Sequence, residues 1–127
     1  MNEFHSHDHK QTVICKTNDF SSVRNVRFAT QSGPMLVVEG KINSTFLASS
    51  KNLNIRNGVG ILPNNEVIFA ISTVGVNFYD FAKYFKDKGC KNALYFDGCV
   101  SRMYCPEKGW KSAVGDFGVM IGVTTSN

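Results

Sequence analysis

The chain is poor in the features that announce a specialised class of protein. Its 127 residues include one tryptophan, three prolines and three histidines. The histidines, His5, His7 and His9, all fall near the start, so Ser/His/Asp and Cys/His nucleophile systems have no imidazole in the body of the chain. No CxxC pair occurs among Cys15, Cys90, Cys99 and Cys105, and no histidine lies near them, which argues against a zinc site of the usual spacing. Two disulfides and a reduced, partly buried set both fit these cysteines. No apolar run approaches the roughly 18 residues of a membrane span. The start, "MNEFHSHDHK", has no signal-peptide hydrophobic region, so the chain as written is expected in the cytoplasm, and exported only as a piece of a longer precursor.

Charge of one sign is present but not concentrated. The net charge is +4, and the densest basic group, Lys83, Lys86, Lys88 and Lys91, covers a helix and the turn after it. The aromatics of that helix fall on its opposite face, so the stripe of basic and aromatic residues that nucleic acid requires is missing. Nucleic acid is not an expected partner. The alternating "HSHDH" fits either a loose divalent-metal site or a tail. Neither a metal nor a cofactor is expected.

What remains is an ordinary globular composition, 43% hydrophobic and 19% charged, with ten phenylalanines for a core. The expected class is α/β (α+β): a β-rich single domain over 11–127, after a flexible start at 1–10, with a mixed sheet and one clear helix at about 77–89. Strand patterns occur at 12–16, 26–31, 35–40, 58–63, 67–72, 92–96 and 117–124. Gly40-Lys41 suggests a tight reversal and "PNNE" a hairpin turn. Residues 43–57 show no clean period and read as a loop. Asn77 can cap the helix, Phe78, Phe81, Ala82 and Phe85 form its apolar face, and Gly89 ends it.

Three clusters can carry chemistry. In "ALYFDG", Asp97 and Gly98 follow a short apolar strand. That is where ligands bind in open α/β sheets, and it is also where Asp-Gly makes turns. In "ATQSGPM", Gln31 and Ser32 stand where a strand meets Gly33-Pro34. In "IRNGVG", Arg56 and Asn57 precede Gly58 and Gly60. An arginine, an amide and accessible N–H groups suit a phosphate or sugar hydroxyls; a hairpin start with a surface arginine fits the same residues. Ser101, Arg102 and Tyr104 complete the set.

Together and in this order, "FATQSGPMLVVEGKI", "IRNGVGILPNNEVIFAIS", "VNFYDFAKYFKDKGCKNALYFDG" and "VSRMY" resemble the phosphodiester glycosidase family over roughly residues 24 to 124. The likeness is greatest to its bacterial, exopolysaccharide-related branch. An animal member is the lysosomal uncovering enzyme, which removes N-acetylglucosamine from a phosphodiester. Asp97 and Gly98 match the family's Asp-Gly motif and Ser101 its serine. Cys99 and Val100 stand where the uncovering enzyme has glycines. Gln31, Ser32 and Gly33 match "QSGP", Arg56, Asn57 and Gly58 match "RNG", and Arg102 and Tyr104 match "SRMY". An upstream Asn-Gly segment usual in the family has no copy here.

The resemblance implies hydrolysis of a sugar-1-phosphodiester of the N-acetylglucosamine type, in exopolysaccharide or envelope glycan metabolism. Asp97 would be the carboxyl group at the anomeric centre. Arg56 and Arg102 would hold the phosphate, while Gln31, Ser32 and Asn57 orient sugar hydroxyls. The rival readings are a non-catalytic binding module for a phosphorylated sugar or nucleotide, and an inactive fragment of a longer enzyme. Exposed sheet edges would invite a homodimer.

Overall fold

Two hairpins and a late strand build the main sheet. The computed structural model describes residues 2–7, 11–96, 101–111 and 120–123. In chain order its strands are β1 (Asn2–His7), β2 (Thr12–Lys16), β3 (Val26–Ser32), β4 (Met35–Val38), β5 (Lys41–Ile42), β6 (Asn57–Ile61) and β7 (Val67–Ile71). The helix α1 (Phe78–Asp87) follows, then β8 (Asn92–Tyr95), β9 (Tyr104–Cys105) and β10 (Trp110–Lys111). A five-stranded sheet has the order β5-β4-β8-β6-β7, a three-stranded sheet the order β2-β1-β3, and β9 and β10 form a ribbon. The protein is thus a β-rich α+β domain.

Local sequence explains the hairpins. Between β4 and β5 the chain reverses at Glu39 and Gly40, both with positive φ, as a two-residue hairpin turn demands. The Asn92 side chain and the Lys91 carbonyl hold these residues, accepting from the Glu39 and Gly40 N–H groups at 3.0 and 2.7 Å. Between β6 and β7 the "PNNE" turn forms as expected, with Asn65 in the left-handed region that asparagine tolerates.

The helix follows its signals closely. The Asn77 side chain accepts from the Asp80 N–H at 2.8 Å. At the other end Gly89 has φ 88°, and the Cys90 N–H donates back to the Phe85 carbonyl at 3.0 Å, a glycine-dependent helix stop. Phe81, Ala82 and Phe85 are buried, while Asp80, Lys83, Lys86 and Asp87 face solvent.

Core packing puts a layer on each face of the main sheet. Because side chains alternate along a strand, Ala93 and Tyr95 of β8 join Leu36, Phe81, Ala82, Phe85 and Cys90 on the helix side. Leu94, from the same strand, joins Met35, Val59 and Ile14 of β2 on the other. Burial of each large side chain stabilises by about 1.5–3 kcal/mol. Gly60 makes the helix fit, since a Cβ there would lie 2.7 Å from both Phe85 Cδ1 and Cys90 Sγ.

Two expectations are corrected. Every pairing in the main sheet is antiparallel, so the sheet is not mixed. β7 and β8 do run the same way around α1, but β6 lies between them and no parallel pair forms. Near the start, Asn2–His7 is the middle strand of the three-stranded sheet, paired through its backbone to β2 and β3. Composition registers no such long-range pairing. Finally, the apolar run at 117–124 is not a strand over 120–123, where Met120 and Val123 are 84% and 83% exposed; its remaining residues lie outside those described. Strand-like composition supplies no partner.

Candidate functional site

The antiparallel registers bring distant motifs to one place. β8 pairs with β4 through Met35 and Leu94, and with β6 through Gly58 and Tyr95. The beginnings of β4 and β6 therefore flank the carboxyl end of β8. Two bonds show this directly: the Tyr95 N–H donates to the Pro34 carbonyl, and the Phe96 N–H to the Asn57 carbonyl, each at 3.1 Å. "QSGP" and "RNG" thus meet on either side of the residue before Asp97. Asp97 and Gly98 themselves lie outside the described residues.

Asn57 and Ser101 form the polar centre of this end. The Asn57 side-chain amide donates to the Ser101 hydroxyl at 2.7 Å, and Ser101 is buried. Ser32, at the end of β3 and two residues before Pro34, carries another hydroxyl. Among the described residues its Oγ is buried without a hydrogen-bond partner. Buried polar atoms are nearly always paired, so this hydroxyl is one that the described residues leave unsatisfied. The Gly33–Pro34 peptide that follows it is cis.

The other sequence candidates differ in their surroundings. Gln31, next to Ser32 on a strand, points to the opposite face and reaches the Thr17 hydroxyl at 3.5 Å. Gly58 is a packing residue, because a Cβ there would meet the Leu94 carbonyl oxygen at 2.7 Å. Arg56 is buried beneath the site. Arg102 is exposed next to Ser101, with Nη1 3.3 Å from the Ser101 carbonyl. Tyr104 is 70% exposed on the β9–β10 ribbon, and among the described residues its side chain makes no hydrogen bond.

Some supporting residues carried no sequence signal. Ser72 accepts from the Arg56 N–H through its hydroxyl and donates its own N–H to the Arg56 carbonyl, both at 2.8 Å. Phe78 and Tyr95 present ring faces to the Arg56 guanidinium. Neither role follows from strand or helix periodicity. Two shallow cavities, of about 210 and 440 Å³, lie away from the Asn57–Ser101 pair. The smaller sits by Asn92, at the amino end of β8, and the larger along β4 and β5. Neither is lined by Asn57, Ser101 or Ser32.

A fold with these motifs at the end of a central strand can be compared with known proteins. Residues 2–119 match the family model described as phosphodiester glycosidase. The chain is 41% identical over 92 residues to the "Uncharacterized protein YigE" of Escherichia coli (strain K12), covering 72% of this chain and 36% of that protein. It is similar in structure to the catalytic domain of zebrafish N-acetylglucosamine-1-phosphodiester alpha-N-acetylglucosaminidase, auto-inhibited by its pro-peptide. The TM-score is 0.57 at 19% identity, over 76% of this chain and 39% of that one. The chain therefore spans little more than a third of the length of either relative. The match over nearly its whole length, on a fold of the same kind, shows that the chain belongs to the phosphodiester glycosidase family.

Proposed function

We propose that the chain hydrolyses a sugar-1-phosphodiester of the N-acetylglucosamine type at the carboxyl end of β8, in exopolysaccharide or envelope glycan metabolism. One observation carries the reading: Asn57 is bonded to both Phe96 and Ser101, which gathers the "RNG" and "SRMY" motifs around the position that leads into Asp97. The family and the zebrafish neighbour's substrate support the choice of ligand.

In the proposed reaction, water adds at the anomeric carbon and the bond from that carbon to the phosphate oxygen breaks. The phosphate leaves with the bonding pair. The transition state is oxocarbenium-like, and the Asp97 carboxyl assists as acid, base or nucleophile. Phosphate is a good leaving group, so protonation of the departing oxygen matters less than for an ordinary glycoside. Asn57, Ser101 and the unpartnered Ser32 hydroxyl would meet sugar hydroxyls, and arginine would supply the charge for the phosphate. A second copy would pair through the edge strands β5 and β7; light scattering that finds only monomer at high concentration would remove that part of the proposal.

A second reading, a binding module for a phosphorylated sugar or nucleotide, fits the same residues, because an amide and hydroxyls that orient a substrate also bind a ligand. Proton NMR of free N-acetylglucosamine released from UDP-N-acetylglucosamine separates the two readings. Release by the folded wild type that is lost in Asp97→Asn supports the enzyme. Saturable binding without release supports the module. Full activity in a folded Asp97→Asn protein would end the assignment of Asp97.

A further inference from the structure

The face of the main sheet turned away from α1 carries an aromatic pair next to the Asn57–Ser101 bond. Directly opposed residues of an antiparallel pair share a face, and the registers set Asn57 beside Ile71 and Val59 between Phe69 and Leu94. A Cβ on Gly58 would meet Phe81 of the helix, so Asn57 and Val59, on either side of it, point away from the helix. Phe96 follows Leu94 by two residues and shares its face, with its N–H bonded to the Asn57 carbonyl. Phe69 belongs to β7 and Phe96 comes directly after β8, so the two rings approach from opposite sides of β6. Their centroids are 6.3 Å apart and their planes 23° from parallel. They stack across β6, alongside the Asn57 side chain.

Burial separates the two rings. Phe96 packs against the buried layer of Leu94, Val59 and Ile14, as do Ile61 and Val67 on the same face. Phe69 is 41% exposed. A single exposed apolar side chain is ordinary on a protein surface. This one is backed by a second ring and stands beside a polar pair, and an apolar wall with a few placed polar groups is how small-molecule sites are built. The bond from Asn57 to Ser101 uses an amide N–H and a hydroxyl lone pair, which leaves the amide oxygen as an acceptor and the hydroxyl proton as a donor. The chain is anchored just before Asn57. There the Arg56 Nε donates to the Val76 carbonyl at 2.8 Å and its Nη2 to the Asn52 carbonyl at 3.0 Å.

We propose that Phe69 is the apolar wall of a sugar subsite, with its ring against the C–H face of a pyranose and Asn57 at that sugar's hydroxyls. The negative face of an aromatic ring attracts polarised C–H groups, and a pyranose presents such a face with hydroxyls around its rim. The same ring face repels a phosphate, so the subsite selects the sugar part of a ligand. The inference deepens the sugar-phosphodiester reading and rests on it. Phe69 takes no part in bond cleavage. A nucleobase is the other ring that stacks on an aromatic face, and the test tells the two apart.

Saturation-transfer NMR on the whole chain, with UDP-N-acetylglucosamine as the probe, reads base and sugar protons of one ligand. Any released sugar gives its own signal, so turnover and binding are read separately. In the wild type, saturation passes from the protein to the sugar C–H protons more strongly than to the uracil protons. Phe69→Leu keeps an apolar side chain but removes the ring. It binds UDP-N-acetylglucosamine about three- to tenfold more weakly, the loss expected of one aromatic contact, and binds UDP as the wild type does. Phe69→Tyr keeps the ring and holds the affinity within about twofold. Unchanged affinity in Phe69→Leu would overturn the subsite and leave the sugar-phosphodiester reading standing. Equal weakening for UDP and UDP-N-acetylglucosamine would assign the ring to the base or to the fold, and stronger transfer to uracil would assign it to the base; either overturns the proposal. The transfer pattern is read in the wild type, so it decides the matter even if Phe69→Leu does not fold. A wild type that does not bind UDP-N-acetylglucosamine would remove the sugar-phosphodiester reading and the subsite with it.

Discussion

The Asn57 side chain donates a 2.7 Å hydrogen bond to the Ser101 hydroxyl, joining segments 44 residues apart in sequence at the end of one strand. Because Ser101 is buried, neither group can exchange this bond for water without cost. Asn57→Ala and Ser101→Ala should each lose about 1 kcal/mol of stability in urea unfolding. The double variant should lose less than the sum, by about 0.5 kcal/mol or more, as partners in contact do. Strict additivity would show that the pair does not form in solution.

Asn77 holds more than a helix end. It is 3% exposed, accepts from the Asp80 N–H, and donates to the carbonyls of Ala48 and Ser50 at 3.2 Å each. Loss of a cap alone costs about 1 kcal/mol, and the two bonds to the loop carbonyls of Ala48 and Ser50 go with it, so Asn77→Ala should cost about 2–3 kcal/mol. Asn77→Ser restores the cap without reaching both carbonyls, and should fall between wild type and Asn77→Ala in thermal and chemical unfolding. Equal losses in the two variants would assign the whole effect to the loop contacts.

Gly58 and Gly60 face the helix layer where no side chain fits. An alanine Cβ at 58 would meet the Leu94 carbonyl oxygen at 2.7 Å, which belongs to the neighbouring strand's backbone. At 60 it would meet side-chain atoms of Phe85 and Cys90, which can move slightly. Both alanine variants should be destabilised by about 1–3 kcal/mol, as overpacked cores are, with Gly58→Ala the worse. Gly122→Ala, where nothing lies within 4 Å, serves as the control and should melt with wild type.

Burial raises the pKa of the Cys90 thiol above its ordinary value. The folded state therefore holds this proton more tightly than the unfolded one. Its contribution is complete below the unfolded thiol's pKa and is lost as pH rises through the folded value. Stability should accordingly fall on the alkaline side, and less so in Cys90→Ala. In peptide mapping after iodoacetamide at pH 8, Cys105 should be alkylated well before Cys90, which reacts only as the protein opens. Equal labelling rates in the native protein would contradict this burial.

Local signals were legible where they were short-range. The Asn77 cap, the Gly89 stop, the "PNNE" reversal and the apolar face of Phe81, Ala82 and Phe85 all follow from residues within one or two turns of each other. Pairing was not legible in the same way. Nothing in "NALYF" says that it inserts between β4 and β6, and nothing in "NEFHSH" says that it joins two strands. The candidate site shows the same division. Motif order groups "QSGP", "RNG" and "SRMY", and the registers of β8 bring their neighbours within hydrogen-bonding distance. It does not distinguish a buried arginine from an exposed one, because the carbonyls of Asn52 and Val76 that enclose Arg56 carry no side-chain signature.

The insertion of β8 has a kinetic meaning. Among the described residues the β4–β5 and β6–β7 hairpins do not pair with each other, and β8, which comes after both in the chain, is the strand that hydrogen-bonds to each. A polypeptide stopped before Asn92 would own "QSGP" and "RNG" but would have no strand to seat them side by side. Closing this sheet requires contacts over long sequence separations, the slow kind in folding. The end of the sheet that carries these motifs would then form in a single late step, after its central strand had left the ribosome.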